Sequence, residues 1–532
     1  MTASPGSAPT AGDSTRWWTL FAVCVATFML LLDVTIVNVA LPAIRDDLGS
    51  SFSDLQWVID AYALMLAALL LTAGALADGF GRRRVFAIGL GVFTVASLLC
   101  ALATTPTVLN LARGLQGVGG AMMFATSLAL LAQEFSGRER GTAFGVWGAV
   151  TGGAVAIGPL VGGALTESFG WESIFLVNLP VGIAAVALAL TKLRETSDPD
   201  ARGFDWAGLV TFSGALFLLV FALIRGNEVG WGSARTVLQL VGAAVLLAAF
   251  VVVERRQQRP MLDLSLFRKP TFTGAAIVAF SLSGSMFAMF LYLTLYLQSV
   301  LGHSPLETGL RFLPLTLLAF AIAPVAGRLS TRLPARAFLG GGLIVVAAGL
   351  LLMRGVDPAS DWTALLAGFI VGGVGIGLVN PPLASAAISV VAPARSGMAS
   401  GINSTFRQVG IATGIAGLGA IFESSVRSGM KERLASAPLS DAAAADVAEA
   451  VARGGVREAV VAAPPEAGEA IAAAARESFV AGLDEILLVA ACLALAGGLL
   501  ALVLVRGRDF VVPQRAPEAA VAPGPAVPAG VG

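Results

Sequence analysis

About fourteen stretches of this chain are apolar over close to, or more than, the roughly 20 residues a helix needs to cross a bilayer. They fall near 17–40, 55–77, 84–103, 107–133, 142–166, 173–191, 206–224, 234–253, 271–299, 308–330, 337–353, 362–391, 398–422 and 479–505. In hydrocarbon every backbone N–H and C=O must find its partner within the protein, so segments of this length are confined to helices packed in bundles. Buried helices of a soluble protein would carry charged outer faces, which these segments lack. Only 13% of the residues are charged, against about 25% in ordinary soluble domains. The expected fold class is therefore all-α and integral to the membrane. The first span is too long for a signal-peptide core and no short apolar run ends in a cleavage site, so it is expected to remain as an anchor.

Orientation follows from lysine and arginine in the short loops, which concentrate on the cytoplasmic side. One alternate set of loops holds Arg82, Arg83, Arg84, Arg138, Arg140, Lys192, Arg194, Arg202, Arg255, Arg256, Arg259, Arg268, Lys269, Arg328, Arg332, Arg336 and Arg395. The opposite short loops hold only Arg45, Arg225, Arg235 and Arg354. This places both termini in the cytoplasm of a multi-pass protein of the cell membrane. A formal net charge of zero argues against a nucleic-acid partner. Cys24, Cys100 and Cys492 lie in separate spans without paired spacing, and His303 is the sole histidine, so neither a disulfide framework nor a metal or other cofactor is expected.

Two polar segments divide the spans into six, two and six. The expected organisation is a cytoplasmic tail at 1–16, a six-helix bundle over 17–194, and a linker with two extra membrane helices over 195–270. A second six-helix bundle follows over 271–506, with an extracytoplasmic loop at 423–478 expected to be partly helical, and then a disordered cytoplasmic tail at 507–532. A short echo supports duplication: "GALADGFGRRR" from Gly74 and "GRLSTRLPAR" from Gly327 stand at the second-to-third span junction of each half. Internal repeats with a site between them are a recurring transporter plan.

Ionisable groups inside spans are costly and are functional candidates by default. Asp33 sits in "LLDVTIVNVALP" with Thr35 and Asn38, and Asp60 in "LQWVIDAYAL"; both are expected in the outer half of the membrane. Each could load and release a proton, since desolvation raises a carboxyl pKa; the alternative for Asp33 is a fixed structural pairing with Arg113 or backbone groups. Arg113, Gln116, Gly117 and Gly120 share one helix face, as do Asn403, Arg407, Gly410 and Gly414. Each face reads either as a polar relay or as a tie between helices. In "TGGAVAIGPLVGG", Ala154, Gly158 and Gly162 recur every fourth residue, beside a second stripe of Gly148, Gly152 and Ala156. Small-residue stripes let helices approach closely in lipid. Pro159 removes one backbone donor and can bend the helix. The combination suits an interface between two bundles that rock.

These motifs together resemble the major facilitator superfamily, in its fourteen-helix drug:proton antiporter branch. The loop motif of that family is similar at Gly74, Leu76, Asp78, Gly81, Arg82 and Arg83, with Gly79 where an arginine is usual. The span-four motif associated with proton coupling is similar at Arg113, Gln116, Gly117 and Gly119. The span-five antiporter motif is similar at Gly145, Gly158, Pro159, Gly162 and Gly163, and Asp33 matches the acidic member of the first-span motif. The resemblance implies a proton-coupled exporter of amphipathic small molecules such as drugs or antibiotics; a monomer of this length can hold the whole pathway, and a monomer is the expected state. The nearest alternative to export is a proton-coupled uptake symporter on the same fold. An enzyme or ATP-driven subunit is disfavoured: the chain has no G-K-[ST], H-E-x-x-H or G-x-S-x-G sequence.

Overall fold

The computed structural model describes residues 11–50, 52–135, 137–197, 205–257, 260, 262–330, 332–391, 396–435, 441–452 and 465–509. Arg202, Arg259, Arg395 and most of the tail from 507 lie outside them, as do the side chains of Asn38, Arg138 and Pro159. Thirteen described helices are long and apolar enough to cross a membrane. The remaining expected span, 142–166, coincides with a 33-residue helix, Gly137–Phe169.

The first half consists of α1 (Ala11–Leu48), α2 (Phe52–Phe80), α3 (Arg82–Ala101), α4 (Pro106–Glu134), α5 (Gly137–Phe169) and a broken sixth helix. That sixth span is α6 (Ser173–Leu176) followed by α7 (Asn178–Lys192). The hairpin is α8 (Trp206–Val229) and α9 (Ala234–Arg256). The second half begins with α10 (Pro270–Leu282) and α11 (Ala288–Leu295), joined by a π-helical turn at Ser283–Phe287 into one membrane span. It continues with α12 (Pro305–Leu329), α13 (Ala335–Leu352), α14 (Leu366–Ser389), α15 (Ser396–Leu434), α16 (Asp441–Ala452) and α17 (Pro465–Leu504).

The cores follow the two halves. One apolar cluster is built wholly from residues of the second half, from Ala275 to Val505. Two others belong to the first half, joined among the described residues by Ala384 and Ile388 from across the divide. The hairpin sits outside both bundles: only 17% of the apolar stretch of α9 is buried in protein, against 78% for α4. Side chains such as Leu238 and Val245 on α9 are exposed, as lipid-facing groups should be. On its inner side α8 packs Phe212 and Leu216 against Ala68 and Leu71 of α2 and Met398 and Ile402 of α15. A hydrogen bond of 2.9 Å joins Thr72 to Ser213. The hairpin thus covers the seam between the bundles.

The polar segment 423–478 is helical over most of its described residues. Residues 423–434 continue α15 and residues 465–478 open α17, leaving α16 in the connection between them. Alanine, glutamate and arginine favour helix, and here they carry a buried stripe. Val426, Met430, Ala448, Ile471 and Ala475 extend the core of the second half beyond the apolar spans. An Arg433–Glu477 bridge of 2.9 Å ties the two long helices.

The bundles meet closely at the arginine-rich end. Gly141 of α5 and Gly327 of α12 are in direct backbone contact, and a Cβ on either would collide with the carbonyl of the other. One turn further, a Cβ on Gly145 would lie 2.8 Å from the Pro324 Cα. Beside them, the Asp78 carboxylate of α2 accepts the Met398 backbone N–H of α15 at 2.8 Å. Asp78 also accepts from its own Arg82 at 2.9 Å. The first bundle therefore caps a helix start of the second, which satisfies a donor that would otherwise lack a partner.

Gly141→Leu should pry this end apart. With the three cysteines replaced by alanine, a cysteine at Ala323 should react several-fold faster with a membrane-impermeant maleimide offered at the arginine-rich face. Unchanged labelling would mean that the glycine contact does not hold the seam shut.

Candidate functional site

Asp33 is buried to 1% exposure in the middle of α1, and four helices converge on it. Arg113 of α4 donates through Nη1 to Asp33 Oδ2 at 2.5 Å. Gln116, one turn along, donates to Asp33 Oδ1 at 2.8 Å and to Ser97 Oγ of α3 at 2.9 Å. Asn178, the first residue of α7, donates to Asp33 Oδ1 at 3.1 Å. The guanidinium is itself satisfied on several sides. Its Nη1 also donates to Gln116 Oε1 at 2.6 Å, its Nε donates to the Val58 carbonyl at 2.8 Å, and its face lies 4.5 Å from the Tyr62 ring. A buried ion pair is tolerated when its remaining lone pairs and protons are bonded in this way.

Glycines bring the groups together. A Cβ on Gly117 would lie 2.5 Å from the Tyr62 carbonyl of α2, and one on Gly119 would lie 2.6 Å from the Phe93 amide of α3. Side chains there would push α4 away from both neighbours and separate Arg113 from its partners.

Both roles weighed for Asp33 therefore start from one geometry, since it is paired with Arg113 inside a sealed polar cluster. Asp60 is half-buried on α2 and is not among the groups bonded to Asp33 or Arg113. Ser97 and Asn178 were not expected from the sequence. A lone serine and an asparagine at a helix start carry no motif, and only the fold brings them to Asp33.

The expected gating loop is divided between two tasks. Asp78 and Arg82 serve the seam, whereas Arg83 and Arg84 turn to Glu195. The Glu195 carboxylate accepts their backbone N–H groups at 3.1 and 3.2 Å and so caps the start of α3. Gly74 is buried within α2, and Gly81 takes φ 107°, a conformation glycine alone adopts freely.

The glycine stripe of α5 also divides. Gly145, with Gly141 and Gly148, faces α12 and α14 across the bundle seam. Gly158 and Gly162 instead pack against Thr35 and Ile36 of α1 in the same bundle, and Gly163 has open space around it. The glycines of α5 that meet the second half lie toward its arginine-rich end, and the prolines set against them are Pro324 and Pro381.

Arg407 occupies a second polar place, buried in α15. It donates to Asn380 Oδ1 of α14 at 3.0 Å and lies 5.6 Å from the centre of the Phe287 ring. Asn403, one turn away, is buried with its side-chain oxygen unbonded. Asn380 and Phe287 line a small cavity between the bundles, bounded on the other side by Gly148 and Gly152 of α5.

Two bundles with a sealed charge pair in one, a cavity between them and a hairpin over the seam define a polytopic helical carrier. The Major Facilitator Superfamily profile matches residues 23–415. The chain belongs to that superfamily. It is 38% identical to the multidrug resistance protein Stp of Mycobacterium tuberculosis (strain CDC 1551 / Oshkosh) over 410 residues, covering 77% of this chain and 76% of that one. It is 35% identical to the tetracenomycin C resistance and export protein of Streptomyces glaucescens over 522 residues, covering 96% of this chain and 95% of the relative. Its fold superimposes on the human organic anion transporter MFSD10 (TETRAN) with a TM-score of 0.61 at 14% identity, over 91% of this chain and 99% of the other.

Removing one member of the central pair should strand the other as a buried charge, at a cost of about 3–5 kcal/mol. Asp33→Asn and Arg113→Gln should each lower thermal stability in detergent, while the double variant should recover most of the loss. Additive losses would mean that the two groups act independently.

Proposed function

We propose that this chain is a secondary exporter that moves amphipathic small molecules out of the cell in exchange for entering protons. It would work as a monomer in the cell membrane with both termini in the cytoplasm. The observation that carries this reading is the sealed Asp33–Arg113 cluster. Its carboxylate is held by three side-chain donors, of which Arg113 supplies the counter-charge. A proton arriving at Asp33 removes that counter-charge and leaves the Arg113 guanidinium unpaired in a low-dielectric interior. The pair then separates, and the contacts of α1 with α4 and α7 change with it. Protonation is thereby converted into helix movement.

The relatives named for drug resistance and export support the outward direction. The arginine concentration in one set of loops supports placing the tight Gly141–Gly327 seam on the cytoplasmic side. In that orientation the present conformation is shut toward the cytoplasm. The charge network at Asp78 holds it there despite the glycine at position 79, because Asp78 clasps Met398 directly.

The test is proton counterflow in proteoliposomes with an acidic lumen. Ethidium and 9-anthracenecarboxylate would be offered separately from outside while lumen pH is recorded. Substrate-triggered proton release by the wild type, lost in Asp33→Asn, is expected. Intact coupling in Asp33→Asn would remove Asp33 from the coupling step. Absence of coupling with every compound, across several chemical types, would overturn the antiport reading.

A further inference from the structure

An ionised carboxylate offers about four lone-pair positions on its two oxygens, and the donors around Asp33 share them unequally. Oδ1 takes two amide N–H groups, from Gln116 at 2.8 Å and from Asn178 at 3.1 Å. Oδ2 takes one donor, Arg113 Nη1 at 2.5 Å. Among the described residues Oδ1 is therefore full, and the open position lies on Oδ2. Two further titratable groups face the pair, Tyr62 of α2 and Cys100 of α3. The Tyr62 hydroxyl donates to the Leu30 carbonyl at 3.4 Å and the Cys100 thiol to Gln116 Oε1 at 3.8 Å, so neither occupies that position.

Ser97 fixes the sense in which the amides point. Its Oγ accepts a second N–H from Gln116 at 2.9 Å and from Asn178 at 3.4 Å, and donates to the Phe93 carbonyl at 2.8 Å. Gln116 Oε1 is turned the other way, onto Arg113. Neither amide can present its oxygen to Asp33 without giving up these bonds. Asn178 reaches the carboxylate because α7 lies hard against α3: a Cβ on Gly182, one turn past Asn178, would collide with Thr94. Asn178 also stands where α6 passes into α7, with Val177 alone between the two helices.

From this we propose that Asn178, together with Gln116 and Ser97, directs the incoming proton to Oδ2, the oxygen that holds Arg113. The proposal rests on the reading of Asp33 as the coupling carboxylate. The proton adds to the open lone pair of Oδ2 and forms one O–H bond. The carboxylate becomes a neutral acid, and the proton later leaves from the same oxygen. Loading the proton and cancelling the partner of Arg113 are then a single event. With Oδ1 open, a proton could settle there while the bond from Nη1 to Oδ2 stayed in place, and its arrival would move less of the bundle. Asn178 is thus a positioning residue, which acts on the proton through the oxygen it fills.

Infrared difference spectra of the full chain in proteoliposomes, recorded between neutral and acidic pH, read which oxygen remains a carbonyl. A carboxyl C=O band missing from Asp33→Asn belongs to Asp33. In wild type that carbonyl is Oδ1 with its two amide donors. Asn178→Leu should displace the band, because the carbonyl either loses one of those donors or becomes Oδ2. The same variant should release fewer protons per substrate in the counterflow assay, a ratio that slower turnover alone leaves unchanged. Should Asn178→Leu fail to fold, Ser97→Ala, which frees both amides to turn, should displace the band as well. A band that stays in place in the folded variants, or a wild-type proton ratio in Asn178→Leu, would overturn the proposal. Absence of any Asp33-dependent band in wild type would instead remove Asp33 from proton coupling, and with it the reading on which the proposal stands.

Discussion

The first bundle is organised around one contact, the 2.5 Å bond between the buried Arg113 and Asp33. Neither charge could remain there alone. Each therefore imposes demands on its surroundings: Gln116, Asn178 and Ser97 around the carboxylate, and the Val58 carbonyl and the Tyr62 face around the guanidinium. Meeting those demands requires α2, α3 and α4 to run unusually close. Gly117 and Gly119 are small for that reason, and packing, hydrogen bonding and charge all favour one arrangement of five helices.

The second bundle places its buried cation differently. Among the described residues Arg407 has an amide and a ring for company but no carboxylate, and it stands near the cavity instead of inside a sealed cluster. The two halves share a fold plan, yet one keeps its charge balanced and the other leaves it open. The balanced pair suits a switch that a proton can break.

Between the bundles the contact is tightest where side chains are smallest. Gly141 against Gly327, and Gly145 against Pro324, bring two backbones together with no side chain to interlock. Contacts of this kind gain dispersion energy while closed and leave no knobs to disengage when they part, as a seam that opens and closes requires. The α8–α9 hairpin lies over the neighbouring seam between α2 and α15. Apolar packing, the hydroxyl pair Thr72 with Ser213 and Arg225 over the Trp57 ring hold it there, and it presents its other face to lipid.

Fold class was legible in the residues because a bilayer leaves so few alternatives. A stretch of about 20 apolar residues can only be a helix there, and the six–two–six spacing of the polar breaks shows the halves. Asp33, Arg113 and Gln116 stood out because charge and amide groups inside such stretches are rare. The apolar rule says nothing of how far the helices run on in the segment 423–478, where α15 and α17 continue on alanine-rich sequence. Which groups meet was settled by the tertiary structure alone. Ser97, Asn178 and Asn380 lie far from their partners in the chain and belong to no motif. The glycines of α5 look alike in sequence but face different helices, Gly145 toward the other bundle and Gly158 toward α1. Composition sets the solvent a segment can occupy, because transfer into lipid is a property of each residue. Pairing depends on the rotation and crossing of whole helices, a property of the assembled bundle.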